Sequence, residues 1–121
     1  MTALPPGWPA EVRPPGSPEW ERSAVAWLFD QCPPDYRAHE VLRRYPVVLA
    51  RFAATALDAA VAAADGGLRT VRAELRDRVP PEAVEAAVNA YERERHRLRA
   101  ARHAVDMVER ALRGERWVPR L

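Results

Sequence analysis

Cysteine is nearly absent from this sequence. The single residue, Cys32, excludes an internal disulfide and a cysteine-based zinc site, and its isolation is typical of a reducing compartment. The first residues lack the basic and apolar stretches of a secretory signal, and no uninterrupted run approaches the roughly 18 apolar residues of a membrane-spanning helix. We therefore expect a cytoplasmic protein that does not act at a membrane.

Lysine is absent altogether, and all 19 of the lysine-or-arginine residues are arginine. The formal net charge of +2 is too small to indicate a nucleic-acid-binding protein. The charge is unevenly distributed, since residues 91–121 hold 9 arginines and 5 acidic residues, whereas residues 1–90 hold 10 and 12. The C-terminal third is therefore the basic part of the chain.

Catalytic motifs are also missing. The sequence has no glycine-rich phosphate loop, no serine-centred elbow and no carboxylate pair spaced for acid–base catalysis. Cys32 would need a base to act as a nucleophile, and His39 lies beyond two prolines without an evident orienting group. Cys32-Pro33 is a dipeptide of haem-responsive proteins, but two residues carry little information. The sequence thus predicts a protein that is not an enzyme, with no cofactor and no small-molecule substrate.

Proline divides the N-terminal part into segments. Six of the 12 prolines precede residue 19, which predicts a Pro-rich extended arm over residues 1–17. Trp8 is expected to pin this arm to the body, because an anchored aromatic ring buries apolar area. Ser17, as an N-cap before a proline and a glutamate, predicts a helix over about 18–31. A short second helix is expected over about 35–44.

Two long helices are predicted over about 46–79 and 81–114, because Pro80 must interrupt a helix and Pro81 can open the next. Apolar residues repeat with heptad spacing in both segments. The repeat comprises Val47, Ala50, Ala54, Leu57, Val61, Ala64, Leu68, Val71 and Leu75 in the first segment and Val84, Val88, Tyr91, Leu98, Val105 and Leu112 in the second. Folding the chain at Pro80 aligns the two repeats in one antiparallel register, which pairs Val71 with Val88.

These elements predict an all-α fold with a single domain over residues 18–121. Its main feature is a long antiparallel, coiled-coil-like helical hairpin, with the short N-terminal helix pair packed at the open end to form a three- to four-helix base. A tail over residues 115–121 is expected to dock on that base. Gly66-Gly67 has two interpretations. The helix is either continuous, with a loss of helix stability of about 1 kcal/mol per glycine, or has a hinge at this pair.

Polar residues along the predicted hairpin form three groups, which are arginines at the seam, charged residues that flank it and histidines at outer positions. Arg95 and Arg102 fall at seam positions and are expected to turn toward the first long helix. Flanking charges should pair across the helices, Asp58 and Asp65 near Arg99 and Arg72 near Glu85 and Glu92. His96 and His103 repeat at the same seven-residue interval as Asp58 and Asp65, but both histidines take outer positions and the paired Glu-x-x-His motifs of a di-iron bundle are missing. Solvated surface histidines are therefore favoured over a metal site.

Two surfaces are candidates for binding a partner. The first, termed the basic stripe, lies on the outer face of the last helix and consists of Arg93, His96, Arg97, His103 and Arg110. It could meet phosphate, RNA or an acidic protein, or be a solvated helix face. The absence of interleaved aromatic residues argues against single-stranded nucleic acid.

The second candidate, termed the apolar set, would be an interface or an internal packing surface. Its members are Trp20, Trp27, Leu28, Leu49, Phe52, Ala56 and Ala60. If the N-terminal helix leaves part of this surface open, homodimerisation or a partner helix would close it.

The sequence therefore favours a helical adaptor or regulatory protein that acts through protein–protein interaction, with a protein partner or a second copy as its ligand. The alternative is a nucleic-acid-associated factor that binds phosphates with the basic stripe. A metal- or haem-binding helical bundle is the third hypothesis.

Overall fold

The computed structural model describes residues 4–120, and throughout that range the regular secondary structure is helical. The elements are α1 (Trp20–Asp30), a 3-10 helix (Pro34–Ala38), α2 (Glu40–Arg44), α3 (Pro46–Leu75) and α4 (Pro81–Leu112). The two long helices α3 and α4 pack against each other, and α1 and α2 pack against α3. The predicted all-α class is confirmed.

The two short N-terminal helices begin and end at other residues than predicted. Ser17 does not cap α1, because its hydroxyl donates to the carbonyl oxygen of Pro14 at 2.6 Å. The helix begins at Trp20 instead, after Glu19, whose side chain makes no capping hydrogen bond. The helix expected over 35–44 is divided at His39, where extended backbone (φ −85°, ψ 113°) separates the 3-10 helix from α2.

α3 ends four residues before the predicted position. Its last residue is Leu75, after which Arg76 is extended (φ −55°, ψ 137°) and Asp77 adopts a left-handed conformation (φ 65°). A proline disfavours helical backbone only in the residue before it, here Val79, so the extended Arg76 and the left-handed Asp77 end the helix earlier than Pro80 requires. Pro80 and Pro81 then open α4 with their fixed φ angles.

The hydrophobic core lies where all four helices meet. Its largest fully buried side chains are Leu28, Leu42, Leu49, Val105 and Val108. The N-terminal arm completes this core, since Val12 is 3% exposed. Trp8 holds the arm in place: its indole nitrogen donates to the carbonyl oxygen of Val12 at 2.8 Å, and its ring lies 5.9 Å from that of Trp20.

The C-terminal tail is not docked in the part that the structure describes. Residues 113–120 are all exposed, with Trp117 at 43% and Val118 at 74%, so the expected docking of 115–121 is wrong for 115–120, and Leu121 lies outside the described residues. The cause is the end of α4. Gly114 (φ 88°) donates to Ala111, and the next amide donates to Arg110, which forms a Schellman cap that turns the chain away from the helix.

The Gly66-Gly67 pair does not interrupt α3, which is continuous from Pro46 to Leu75. Beyond the core, α3 and α4 have mainly each other as neighbours, and their buried contacts include Val71, Val84 and Val88. The hinge interpretation of the two glycines is therefore wrong.

α3 is also long and apolar enough to cross a membrane by length and composition, with a mean hydropathy of 1.7 over an 18-residue window of which 33% is buried in the fold. The sequence expectation counted uninterrupted apolar runs and so overlooked a helix in which single charged residues separate apolar stretches. Core helices of globular proteins meet the same criterion, so this property alone does not assign α3 to a membrane.

Candidate interaction surfaces

The basic stripe is exposed on α4, but its members do not form one free cationic surface. Arg97 donates through Nε to Glu94 at 3.1 Å. That hydrogen bond lowers the pKa of the Glu94 carboxyl and raises the pKa of the Arg97 guanidinium. His103 lies beside the arm, since a methyl group added at Gly7 would be 3.5 Å from its Cδ2. The arm and the Glu94 carboxylate therefore divide the stripe.

Arg93 and Arg110 keep their charges exposed. Neither lies within 4.0 Å of a carboxylate in residues 4–120. Because the rise of an α-helix is 1.5 Å per residue, the two guanidinium-bearing residues are separated along the axis by about 25 Å. A ligand that engages both must therefore be a macromolecule.

The two seam arginines of α4 turn toward α3, as predicted. Arg95 lies 3.3 Å from Asp65, and Arg102 donates through Nε to Asp58 at 2.8 Å and through Nη1 to Asp106 at 2.6 Å. The hydrogen bonds that Arg102 donates to Asp106 and to Asp58 raise its pKa. These arginines are neutralised within the chain and add little positive potential to α4.

The flanking ion pairs follow the sequence expectation in part. Asp65 lies 3.7 Å from Arg99, and Arg72 pairs with Glu85. Asp58 pairs with Arg102 rather than Arg99.

Glu109 is the charged residue that the sequence reasoning missed. Its side chain is buried, with 8% of the residue exposed, and it accepts hydrogen bonds from Arg51 at 3.2 Å and Arg113 at 3.0 Å. The signal was present in the sequence, because Glu109 takes a seam position in the heptad repeat of α4. A carboxylate there requires a cation from the facing helix, and Arg51 supplies it.

The apolar set divides into core residues and an exposed remainder. Trp27, Leu28 and Leu49 are buried, and Trp20 is partly buried against Trp8. Phe52 is 45% exposed, with the ring of Tyr36 packed edge-on at 6.1 Å. Ala56 and Ala60 are half-buried.

Around Phe52, the side of α3 turned away from α4 is uncharged and exposed. We term this the outer face of α3; Gly66 on it is half-buried and the other members are exposed. It comprises Phe52, Thr55, Ala59, Ala62, Ala63, Gly66 and Thr70. Between residues 46 and 68 the only charged side chains are Arg51, Asp58 and Asp65, and each forms an ion pair with α4. The charges of this segment are therefore satisfied toward α4, and the residues of the outer face are themselves uncharged. The exposed Arg69 lies beside its distal end, next to Gly66.

Cys32 is poorly suited to nucleophilic or haem-ligand chemistry. Its thiol is buried and donates to the carbonyl oxygen of Leu28 at 3.4 Å. Burial raises its pKa, an effect that the charge of Arg37 only partly opposes, so the thiolate is disfavoured. No cluster of three or more histidine, cysteine or acidic side chains suited to a metal ion occurs within residues 4–120.

The chain matches no protein-family model, no curated protein and no solved structure.

Proposed function

We propose that the protein is a non-enzymatic helical adaptor that binds another protein through the outer face of α3. The observation that carries this proposal is the exposure of an uncharged helix face about 21 Å long, from Phe52 to Gly66 at 1.5 Å per residue. Ordinary surface helices place charged residues on the side away from the core. An uncharged, exposed face with an aromatic residue is instead typical of a helix that receives a partner.

The proposed scaffold is an antiparallel, coiled-coil-like hairpin of α3 and α4, with α1 and α2 forming a three- to four-helix base at its open end. Support comes from the order of the cross-helix ion pairs. Arg51, Asp58 and Asp65 on α3 pair with Glu109, Arg102 and Arg95 on α4, so that residue numbers rise on one helix as they fall on the other. In this arrangement the base supplies stability and the projecting hairpin carries the recognition surface. The single buried cysteine supports a reducing, cytoplasmic location.

The adaptor proposal is tested by placing charge on the outer face. Tagged wild-type protein, Phe52→Glu and Ala86→Glu are used at low salt to capture proteins from the native lysate. Ala86 is a matched control because it is exposed on α4. We expect one set of captured proteins to be retained by the wild type and the control and lost with Phe52→Glu, while all three keep the same helical circular dichroism. Identical capture by all three proteins would exclude the outer face as the recognition surface.

The second candidate function is binding of nucleic-acid phosphates by the basic stripe. The observation that favours it is the exposure of Arg93 and Arg110 without a carboxylate within 4.0 Å in the described chain. Two separated phosphate contacts predict an affinity that falls with rising salt. Alanine at Arg93, Arg97 and Arg110 should then abolish retention of RNA and duplex DNA at low salt, whereas Phe52→Glu should leave it unchanged. Retention that survives the triple substitution rules out this candidate.

A further inference from the structure

The side chains on the outer face of α3 become smaller along the helix. Phe52, near the base, is the largest side chain on it, whereas the distal end carries Gly66 and Thr70. Gly66 is half-buried, and a methyl group added there would have room, since it would contact only the end of the Arg69 side chain, at 3.9 Å. The face therefore has a projection at one end and a gap at the other.

Ala59 lies at the centre of this arrangement. At about 100° per residue, Phe52 and Gly66 lie at equal angles on opposite sides of Ala59, and so do Thr55 and Ala63. A two-fold axis through Ala59 would therefore bring Phe52 of one copy against Gly66 of the other, and Thr55 against Ala63. Such a contact is isologous, because each residue meets the residue that meets it in return. The outer face is complementary to itself in side-chain size, and its own residues are uncharged; the exposed Arg69 lies beside Gly66 at its distal end.

The exposed area of the chain also suits a dimer. A compact monomer of this mass would expose about 6,600 Å², whereas this 13.6 kDa chain exposes 8432 Å². The excess of roughly 1,800 Å², part of which belongs to the exposed tail, exceeds the area of about 800 Å² that each partner contributes to a standard interface. Small side chains at Ala59, Ala62 and Ala63 let two helix backbones approach closely, which increases the buried area of the flanking residues.

We propose that the outer face of α3 binds a second copy of this chain, with the two α3 helices antiparallel about a two-fold axis at Ala59. The inference rests on the proposed function, since it identifies the protein that the adaptor surface receives. A second copy is favoured over an unrelated helix because side chains on the outer face become smaller from Phe52 to Gly66. An antiparallel copy presents the same series in the opposite direction, so that large side chains meet small ones.

The test is the solution mass of the full chain by light scattering, over a range of protein concentrations, for wild type, Ala59→Glu and Ala86→Glu. We expect twice 13.6 kDa for the wild type and for Ala86→Glu. In Ala59→Glu the two carboxylates would meet at the axis, so the dissociation constant of the dimer should rise roughly 100-fold or more. The mass should then fall to that of one chain. Glutamate is a good helix former and Ala59 is exposed, so circular dichroism should be unchanged.

Cysteine crosslinking tests the register. Ala59→Cys places two thiols at the axis, within the Cα separation of about 4.4–6.8 Å that a disulfide spans, and oxidation should yield a covalent dimer. Ala86→Cys should not, and the buried native Cys32 is common to both variants.

Three results would overturn the inference. A wild-type mass of one chain at every concentration excludes the second copy, and the adaptor proposal survives only if Phe52→Glu still loses a captured protein. A dimer that persists in Ala59→Glu places the interface elsewhere. A monomer that sediments with phosphatidylcholine–phosphatidylglycerol vesicles, and loses this property in Ala59→Glu, identifies a lipid surface as the occupant.

Discussion

The ring of Tyr91 on α4 lies directly against the backbone of Gly67 on α3. A methyl group added at Gly67 would be 2.5 Å from Cε1 of Tyr91 and 2.7 Å from its hydroxyl oxygen, closer than atoms can approach. Glycine is therefore used here for the space that its missing side chain leaves, which explains why a helix tolerates the conformational cost of this residue.

The adjacent glycines should respond differently to alanine. Both substitutions gain helix propensity, about 0.5–1 kcal/mol, and at Gly66 nothing opposes that gain. At Gly67 the ring of Tyr91 must move, so Gly67→Ala should be less stable than Gly66→Ala by about 1–3 kcal/mol in urea unfolding. The difference should vanish in a Tyr91→Ala background. Equal stabilities with Tyr91 present would mean that the contact is not maintained in solution.

Removal of the Glu109 carboxylate should cost more than removal of an exposed one. Glu109→Ala breaks the hydrogen bonds with Arg51 and Arg113 next to the core and should lower the free energy of unfolding by about 1–3 kcal/mol. Glu85→Ala breaks the solvent-exposed pair with Arg72 and should cost less than about 1 kcal/mol. Chemical denaturation of both variants measures the difference, and a smaller loss for Glu109→Ala than for Glu85→Ala would refute the role assigned to this carboxylate.

Trp8 and Trp117 form a matched pair for testing the docked arm. Trp8→Ala removes the packing on Trp20 and the hydrogen bond to Val12, so we expect a loss of about 1–3 kcal/mol and a lower Tm. Trp117 lies in the exposed tail, and Trp117→Ala should change stability by no more than about 0.5 kcal/mol. Thermal unfolding followed by circular dichroism decides; a greater effect at Trp117 would mean that the tail packs on the body.

Cys32 should make the protein less stable in alkali. Burial raises the pKa of its thiol in the folded state, so above about pH 8.5 the unfolded chain releases this proton while the folded chain retains it. The contribution to stability is complete below that pH and is lost as pH rises through the folded pKa. Urea unfolding between pH 7 and pH 10 should show a steeper decline for the wild type than for Cys32→Ala. Parallel profiles would show that the thiol ionises freely.

The sequence predicted the long helices and their facing residues because heptad spacing depends on the helical period. Arg95 and Arg102 were expected to face α3 and do so. Helix ends were less predictable, because Ser17 has a local alternative partner in the carbonyl of Pro14. Trp117 was expected to dock because it is apolar, but a capping glycine three residues earlier sets the direction of the chain.

The surfaces were predicted less well than the helices, because the exposure of a side chain depends on which other elements pack against it in the folded protein. Phe52 and Leu49 have the same apolar character in the sequence, yet Leu49 is buried in the core while Phe52 is 45% exposed. The outer face of α3 is located by the ion pairs that Arg51, Asp58 and Asp65 form with α4. The alanines of the sequence do not by themselves indicate an interface.

The location of the core at one end has a consequence for amide hydrogen exchange. Amides near Leu49 and Val105 lie in a core of four helices, whereas those near Val71 and Val88 lie where two helices have mainly each other. The distal half should therefore open in local unfolding events that leave the base intact. Exchange measured by mass spectrometry should show protection along α3 and α4 that declines toward Asp77, and within this part of the chain the turn at that residue should exchange first.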